Sequence, residues 1–197
     1  MRVRLLMTVT MAAAVAACSD VPAPIAGPGG PSMVIVDGAH GGGNPFFHFL
    51  PPLVDNPGSG VNVTDLSPVV DICVWNGSTC GATIAHYTTD LATTTTTQPG
   101  NSETVRQSGD GYIVNWHSRD FDLTVGGIYR ICVSAGSQRL GHADVDVVGS
   151  GKDLKNIDSN QFIALLDGRT LPIKFRIEDG AFDEETDFRC KGPGDPE

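Results

Sequence analysis

Residues 73 to 80 read CVWNGSTC, two cysteines that enclose a tryptophan and a short polar run. Thiols so spaced could clip a metal, cycle between thiol and disulfide, or staple a turn. Zinc asks for four ligands, typically two CxxC clips or a close histidine pair. A redox pair of the thioredoxin type asks for CxxC in an α/β setting. The chain has neither pattern. At the centre of the stretch stands Asn76-Gly77, the favoured pair for a two-residue type I′ turn. Counting outward, Trp75 faces Ser78, Val74 faces Thr79 and Cys73 faces Cys80. That last pair is of the hydrogen-bonded kind, with Cα atoms about 5.5 Å apart, which lies within disulfide range. The expectation is a hairpin stapled by Cys73–Cys80, with no metal.

Other reactive groups are scattered. His40, His48, His86, His117 and His142 share no spacing, and His48 and His117 read as strand-face residues. Asp120 with Asp122, or Asp144 with Asp146, could set two carboxylates on one strand face and bind calcium weakly or act as an acid/base couple. In a chain with 23 acidic and 13 basic residues, a solvated acidic face is the commoner reason for such pairs. Gly149-Ser150-Gly151-Lys152 lacks the spacing of a phosphate-binding loop, and no Gly-x-Ser-x-Gly elbow occurs. Asn62-Val63-Thr64 and Asn76-Gly77-Ser78 fit the glycosylation triplet. No nucleophile, base and orienting group assemble from the sequence, and no cofactor is expected. Among aromatics, Trp116 shares parity with Tyr112 and Val114 and reads as core. Trp75, beside the hairpin tip, and Tyr87 are the candidate binding residues. Trp75 can pack on the neighbouring disulfide or stack on a sugar or a partner's side chain.

The elements that must carry these groups are strands. Short runs rich in Val, Ile, Thr, Tyr and Phe alternate with Gly, Pro, Asn and Asp, the pattern of an all-β sandwich. They lie at 33–36, 45–50, 69–75, 83–87, 103–107, 112–117, 128–135, 140–148, 161–166 and 171–178. Ser108-Gly109-Asp110-Gly111 and Asp167-Gly168 are hairpin connectors. The threonine run 93–97 precedes Gln98-Pro99-Gly100 and reads as a loop. Residues 152–159 have room for one helical turn, and no long amphipathic helix or internal repeat is present.

At the N-terminus, Arg2 and Arg4 precede an apolar run of thirteen residues, 5–17, too short to span a bilayer and built like a secretory leader. Its end, Val15-Ala16-Ala17-Cys18, resembles the lipobox of bacterial lipoproteins. The resemblance implies cleavage before Cys18 and acylation of its thiol and new amino group, several chains that together hold a protein on a membrane. Ser19 after the cysteine implies the outer membrane. The expected organisation is a leader over 1–17, a Pro/Gly-rich tether over 18–32, a domain over 33–179 and an acidic tail over 180–197. The domain is large enough for one real core. The formal charge of −10 becomes −12 once the two leader arginines are removed, which argues against binding nucleic acid or anionic lipid through charge.

Within the domain, Leu123-Thr124-Val125-Gly126-Gly127-Ile128-Tyr129 resembles the E–F corner of immunoglobulin and fibronectin type III domains. There a Leu packs inward, a Gly turn follows, and a Tyr hydroxyl bonds back to the turn. The strand after it puts Tyr129, Ile131, Val133 and Ala135 on one face and Arg130, Cys132 and Ser134 on the other. Leu171-Pro172-Ile173-Lys174-Phe175-Arg176-Ile177 alternates equally well, with Pro172 at a sheet edge or pairing start. Its Pro-Ile-Lys-Phe segment resembles the PxKF motif of bacterial surface Ig-like modules, which implies a β module and no chemistry. The Ig core disulfide needs an inward cysteine two residues after the corner Tyr. Cys132 lies three residues after it, and Cys73 is out of phase with Val70, Ile72 and Val74. With Cys18 acylated and Cys73–Cys80 paired, Cys132 is left for Cys190.

These readings converge on an Ig/fibronectin III-like β-sandwich with an extra C-terminal hairpin. The expected role is a non-enzymatic, lipid-anchored structural or protein-binding module of the bacterial envelope, with an envelope protein or glycan as partner. A carbohydrate-binding module is the alternative, marked by exposed coplanar Trp and Tyr. A hydrolase with an Asp/His site is the third reading, marked by three such side chains in one cleft.

Overall fold

The structure, a computed structural model, is described over residues 35–97, 103–157 and 162–183. The chain divides into units 1–30 and 31–197, and every described residue belongs to the second. The leader, the tether and residues 184–197 of the tail lie outside the described residues.

Eleven strands are described: β1 (Ile35–Val36), β2 (Phe47–Phe49), β3 (Pro68–Trp75), β4 (Cys80–Tyr87), β5 (Thr95–Thr96), β6 (Arg106–Ser108), β7 (Gly111–His117), β8 (Ile128–Ala135), β9 (Gln138–Val148), β10 (Ile163–Leu166) and β11 (Thr170–Ile177). They form two sheets, as the alternating runs require. The larger has the order β1-β9-β8-β3-β4-β5, with β10 also pairing β9; the smaller is β2-β11-β7-β6. All pairings are antiparallel except β10 with β9. The domain is an all-β sandwich.

Alternation supplies the core. Tyr129, Ile131 and Val133 of β8 and Val145 and Val147 of β9 meet Tyr112, Val114 and Trp116 of β7 and Ile173, Phe175 and Ile177 of β11. Each fully buried side chain of this size contributes about 1.5–3 kcal/mol. Trp116 packs edge-on against Tyr129 (centroids 5.9 Å apart) and Phe121 (6.3 Å), tying the layers together next to the corner. The corner forms as its residues imply. Thr124 donates its backbone N–H to the Tyr129 hydroxyl at 2.9 Å, and Gly127 donates to the Thr124 carbonyl at 2.9 Å. Gly126, at φ 79°, takes the left-handed conformation that the turn needs.

The C-terminal pair of strands is present, joined at Asp167-Gly168 with Arg169 N–H donating to the Leu166 carbonyl at 3.1 Å. The two strands part company: β10 runs parallel to β9 in one sheet, while β11 lies between β2 and β7 in the other. In an Ig domain the sheet order A-B-E-D stands opposite C″-C′-C-F-G. Here β2-β11-β7-β6 and β5-β4-β3-β8-β9 fill those places, so β11, the last of the described strands, occupies position B. Pro172 is tolerated there because β2 reaches only Phe175–Ile177, leaving Pro172 with a partner, Asn115, on the β7 side alone. The threonine run, expected as a loop, adds the two-residue β5 beside Ala85 and His86. A 3₁₀ turn stands at Asp153–Asn156, inside the expected segment, and another at Ser118–Asp120.

Candidate functional site

The CVWNGSTC hairpin forms with a different register from the one its symmetry suggests. Ile72 opposes Ala85, Cys73 opposes Thr83 and Trp75 opposes Cys80, so the ladder slips twice and the loop is four residues, 76–79. The reason is the Asn76 side chain. Its Oδ1 accepts the N–H groups of Ser78 (2.9 Å) and Thr79 (2.8 Å), an Asx turn that displaces the two-residue turn. The slips leave Cys73 diagonal to Cys80 with Cα atoms 5.6 Å apart, and the disulfide forms. Cys73, Cys80 and Cys132 cluster with Trp75 outside the main core. Cys132 is also disulfide-bonded. Its expected partner, Cys190, lies outside the described residues, as does the expected lipid anchor, Cys18.

Trp75 covers more than the staple. The Arg130 guanidinium lies 3.3 Å from the Trp75 ring centroid. Arg130 is 1% exposed and grips Asp144 through Nε–Oδ1 at 2.6 Å and Nη2–Oδ2 at 2.8 Å. Three adjacent strands position this stack, since Arg130 of β8 pairs with Cys73 of β3 on one side and Asp144 of β9 on the other. The remaining accessible surface of Trp75 opens on a cleft of about 800 Å³ between the hairpin tip and the tyrosine corner. Ile84, Phe121, Leu123 and Phe162 supply apolar walls, with Asp122 and Asp144 among the polar lining groups. Val74 lines the same cleft and is 40% exposed.

Tyr87, the second candidate binding residue, is not at the surface. It is fully buried in the main core because its parity on β4 points it between the sheets. The aspartate couples are also corrected. Asp144 is committed to Arg130, and burial raises the pKa of Asp146 above its ordinary value. Asp120 ends a 3₁₀ turn, so it and Asp122 share no strand face. Among the described residues, no three His, Cys, Asp or Glu side chains gather as metal ligands would. No described helix is long and apolar enough to cross a membrane.

Four histidines rest against carboxylates: His40 with Asp37 of the same turn at 2.8 Å, and, from remote positions, His48 with Glu178 at 3.8 Å, His86 with Asp71 at 2.7 Å and His117 with Glu103 at 3.1 Å. The fifth, His142, is fully buried. The His117 group is the most elaborate. Its Nε2 meets Glu103 Oε1, and its Nδ1 meets Thr170 Oγ1 at 2.8 Å. Glu103 also receives Arg106 Nη1 at 3.1 Å and Asn115 Nδ2 at 3.4 Å. Burial of Glu103 acts to raise its pKa, but the hydrogen bonds from His117 and Asn115 and the Arg106 charge outweigh it and hold the carboxyl below the ordinary 4.5. Glu103 with Arg106 and Asn115 with His117 are local pairs, whereas Thr170 lies 53 residues from His117. The β6–β7 pairing brings Glu103 and Arg106 beside β7, and the β7–β11 register sets Thr170 opposite His117.

Compared with protein-family models, curated proteins and solved structures, the chain finds no match.

Proposed function

We propose that the protein is a lipid-anchored, non-enzymatic structural or protein-binding module of the bacterial cell envelope, held at Cys18 and displayed on the 18–32 tether. The Trp75 cleft carries the binding half of this reading. A partly buried indole beside the exposed Val74 and the apolar walls of Ile84, Phe121 and Leu123 is the kind of surface on which a partner's side chain anchors. Trp116, Tyr87, Tyr112 and Tyr129 are all buried. Trp75 therefore lacks the second accessible Trp or Tyr ring that a stacking platform for sugar would use, which favours protein over glycan as partner. The acidic character of the chain favours a partner without strong negative charge.

Two measurements test the halves separately. Mass spectrometry of the N-terminal peptide should find an acylated Cys18 as the first residue; an unmodified Cys18 still joined to the leader overturns the anchor. A photo-crosslinking residue at Val74 in native envelopes should trap one discrete protein, and Trp75→Ala should abolish the adduct. An adduct removed by glycosidase and not by protease points to the carbohydrate reading instead.

A further inference from the structure

The face of the smaller sheet that bears β7 and β11 carries a second group unrelated to the Trp75 cleft. Thr170, His117 and Glu103 form a continuous chain, Oγ1 to Nδ1 at 2.8 Å and Nε2 to Oε1 at 3.1 Å. Three segments deliver it: the start of β11, the end of β7 and the residue run before β6. A cross-strand Thr–His contact alone would follow from the register. The addition of Glu103 gives the contact direction.

Glu103 collects donors from His117, Arg106 and Asn115, the environment of an ionised carboxylate. An ionised carboxylate only accepts hydrogen bonds, so His117 must present Nε2–H to it. In the neutral ring Nδ1 then carries the lone pair, and Thr170 Oγ1–H is the donor to it. A hydroxyl bonded to an unprotonated imidazole nitrogen, with the ring oriented by a carboxylate on its far side, is the arrangement that activates an alcohol for attack on a carbonyl. Thr170 is exposed and His117 is 34% exposed, so an incoming acyl group can reach the oxygen.

We propose that Thr170 is an acyl-acceptor site, with His117 as its general base and Glu103 as the positioning residue. The substrate class is an activated ester or thioester. Thr170 Oγ1 forms a bond to the carbonyl carbon, and its proton passes to His117 Nδ1. The bond from that carbon to the leaving oxygen or sulfur breaks, and the leaving group takes the proton from His117. The products are an ester on Thr170 and a free alcohol or thiol, with no redox partner. This site goes beyond the binding role proposed for the Trp75 cleft and does not depend on it.

The test uses the folded protein with p-nitrophenyl acetate at neutral pH, following p-nitrophenol release and mapping the acetyl group by peptide mass spectrometry. Wild type should acetylate at Thr170. His117→Gln should slow that labelling by about 100-fold or more, the low end of general-base catalysis. Thr170→Val should abolish the adduct, and Thr170→Ser should restore it; both lie at an exposed position where the fold is preserved. Glu103→Asp should retain more labelling than Glu103→Gln, the order that charge dictates and size does not. Equal labelling of Thr170 in wild type and His117→Gln, or acetyl groups confined to lysines, overturns the proposal.

Discussion

Arg130 and Asp144 oppose each other across β8 and β9 and join through two bonds, Nε–Oδ1 at 2.6 Å and Nη2–Oδ2 at 2.8 Å, beneath the ring of Trp75. Both are nearly inaccessible, Arg130 and Asp144 each at 1%. Burying two charges is costly even when they pair, and the bidentate fork and the aromatic face above it offset that cost. The pair is thus a support for Trp75, whose other surface faces the cleft.

Removing one partner is the severe change. Asp144→Asn replaces the carboxylate of a buried bidentate pair with a neutral amide and should cost about 3 kcal/mol. The double replacement Arg130→Met, Asp144→Leu should cost less than Asp144→Asn alone. Urea denaturation followed by far-ultraviolet circular dichroism reads both; a double variant worse than the single one would contradict this account.

Trp75→Leu keeps an apolar cover and removes the ring. The desolvated cation–π contact is worth up to about 2 kcal/mol, so a loss of about 1–2 kcal/mol in urea is expected, with the sandwich intact.

The Cys73–Cys80 bridge closes a short loop at sequence separation 7. Replacing both cysteines by serine should destabilise by about 2.5 kcal/mol on loop-closure entropy. Reducing agent should lower the stability of wild type by more than it lowers that of the variant, which keeps the Cys132 bridge.

Tyr129→Phe removes the hydroxyl that accepts the Thr124 N–H at 2.9 Å and keeps the ring contact with Trp116. The expected cost is about 1 kcal/mol, rising if the orphaned amide stays dry. Thermal melting should show a lower midpoint with unchanged cooperativity.

Acid stability depends on Glu103 and Asp146 with opposite signs. Glu103 is held below its ordinary 4.5 in the folded state, so its contribution is full above that value and is lost as pH falls through the folded pKa. Glu103→Gln should therefore flatten the acid limb of the melting-temperature profile. Asp146 is raised above its ordinary 3.8 by burial, so it favours the fold when protonated and that gain is lost as pH rises. Asp146→Asn should raise stability at neutral pH and change little in acid. A melting profile in which both variants move the same limb in the same direction would refute the assignment.

Much of the fold was legible because strand parity is a local property. The in/out assignment of β8 and β11, the burial of Trp116 and the Tyr129 corner all follow from residues within a few positions of each other. The hairpin at Asn76-Gly77 was legible in kind and not in register, because side-chain capping by Asn76 competes with the two-residue turn over energies too small to rank from the sequence. The burial of Tyr87 turns on a similarly fine margin. One position of phase on β4 decides between core and surface.

By itself, then, the sequence determined most of the strands and the faces that β7, β8 and β11 bury, since alternation and turn residues act over short separations. Which strands become neighbours was decided only in three dimensions. Periodicity does not say that β10 joins β9 while β11 crosses to fill the B position of the opposite sheet. That pairing is long-range, and it is what sets Thr170 against His117 and so creates a site from residues 53 positions apart. The Arg130–Asp144–Trp75 stack has the same origin, three strands meeting side by side with their outward residues in register.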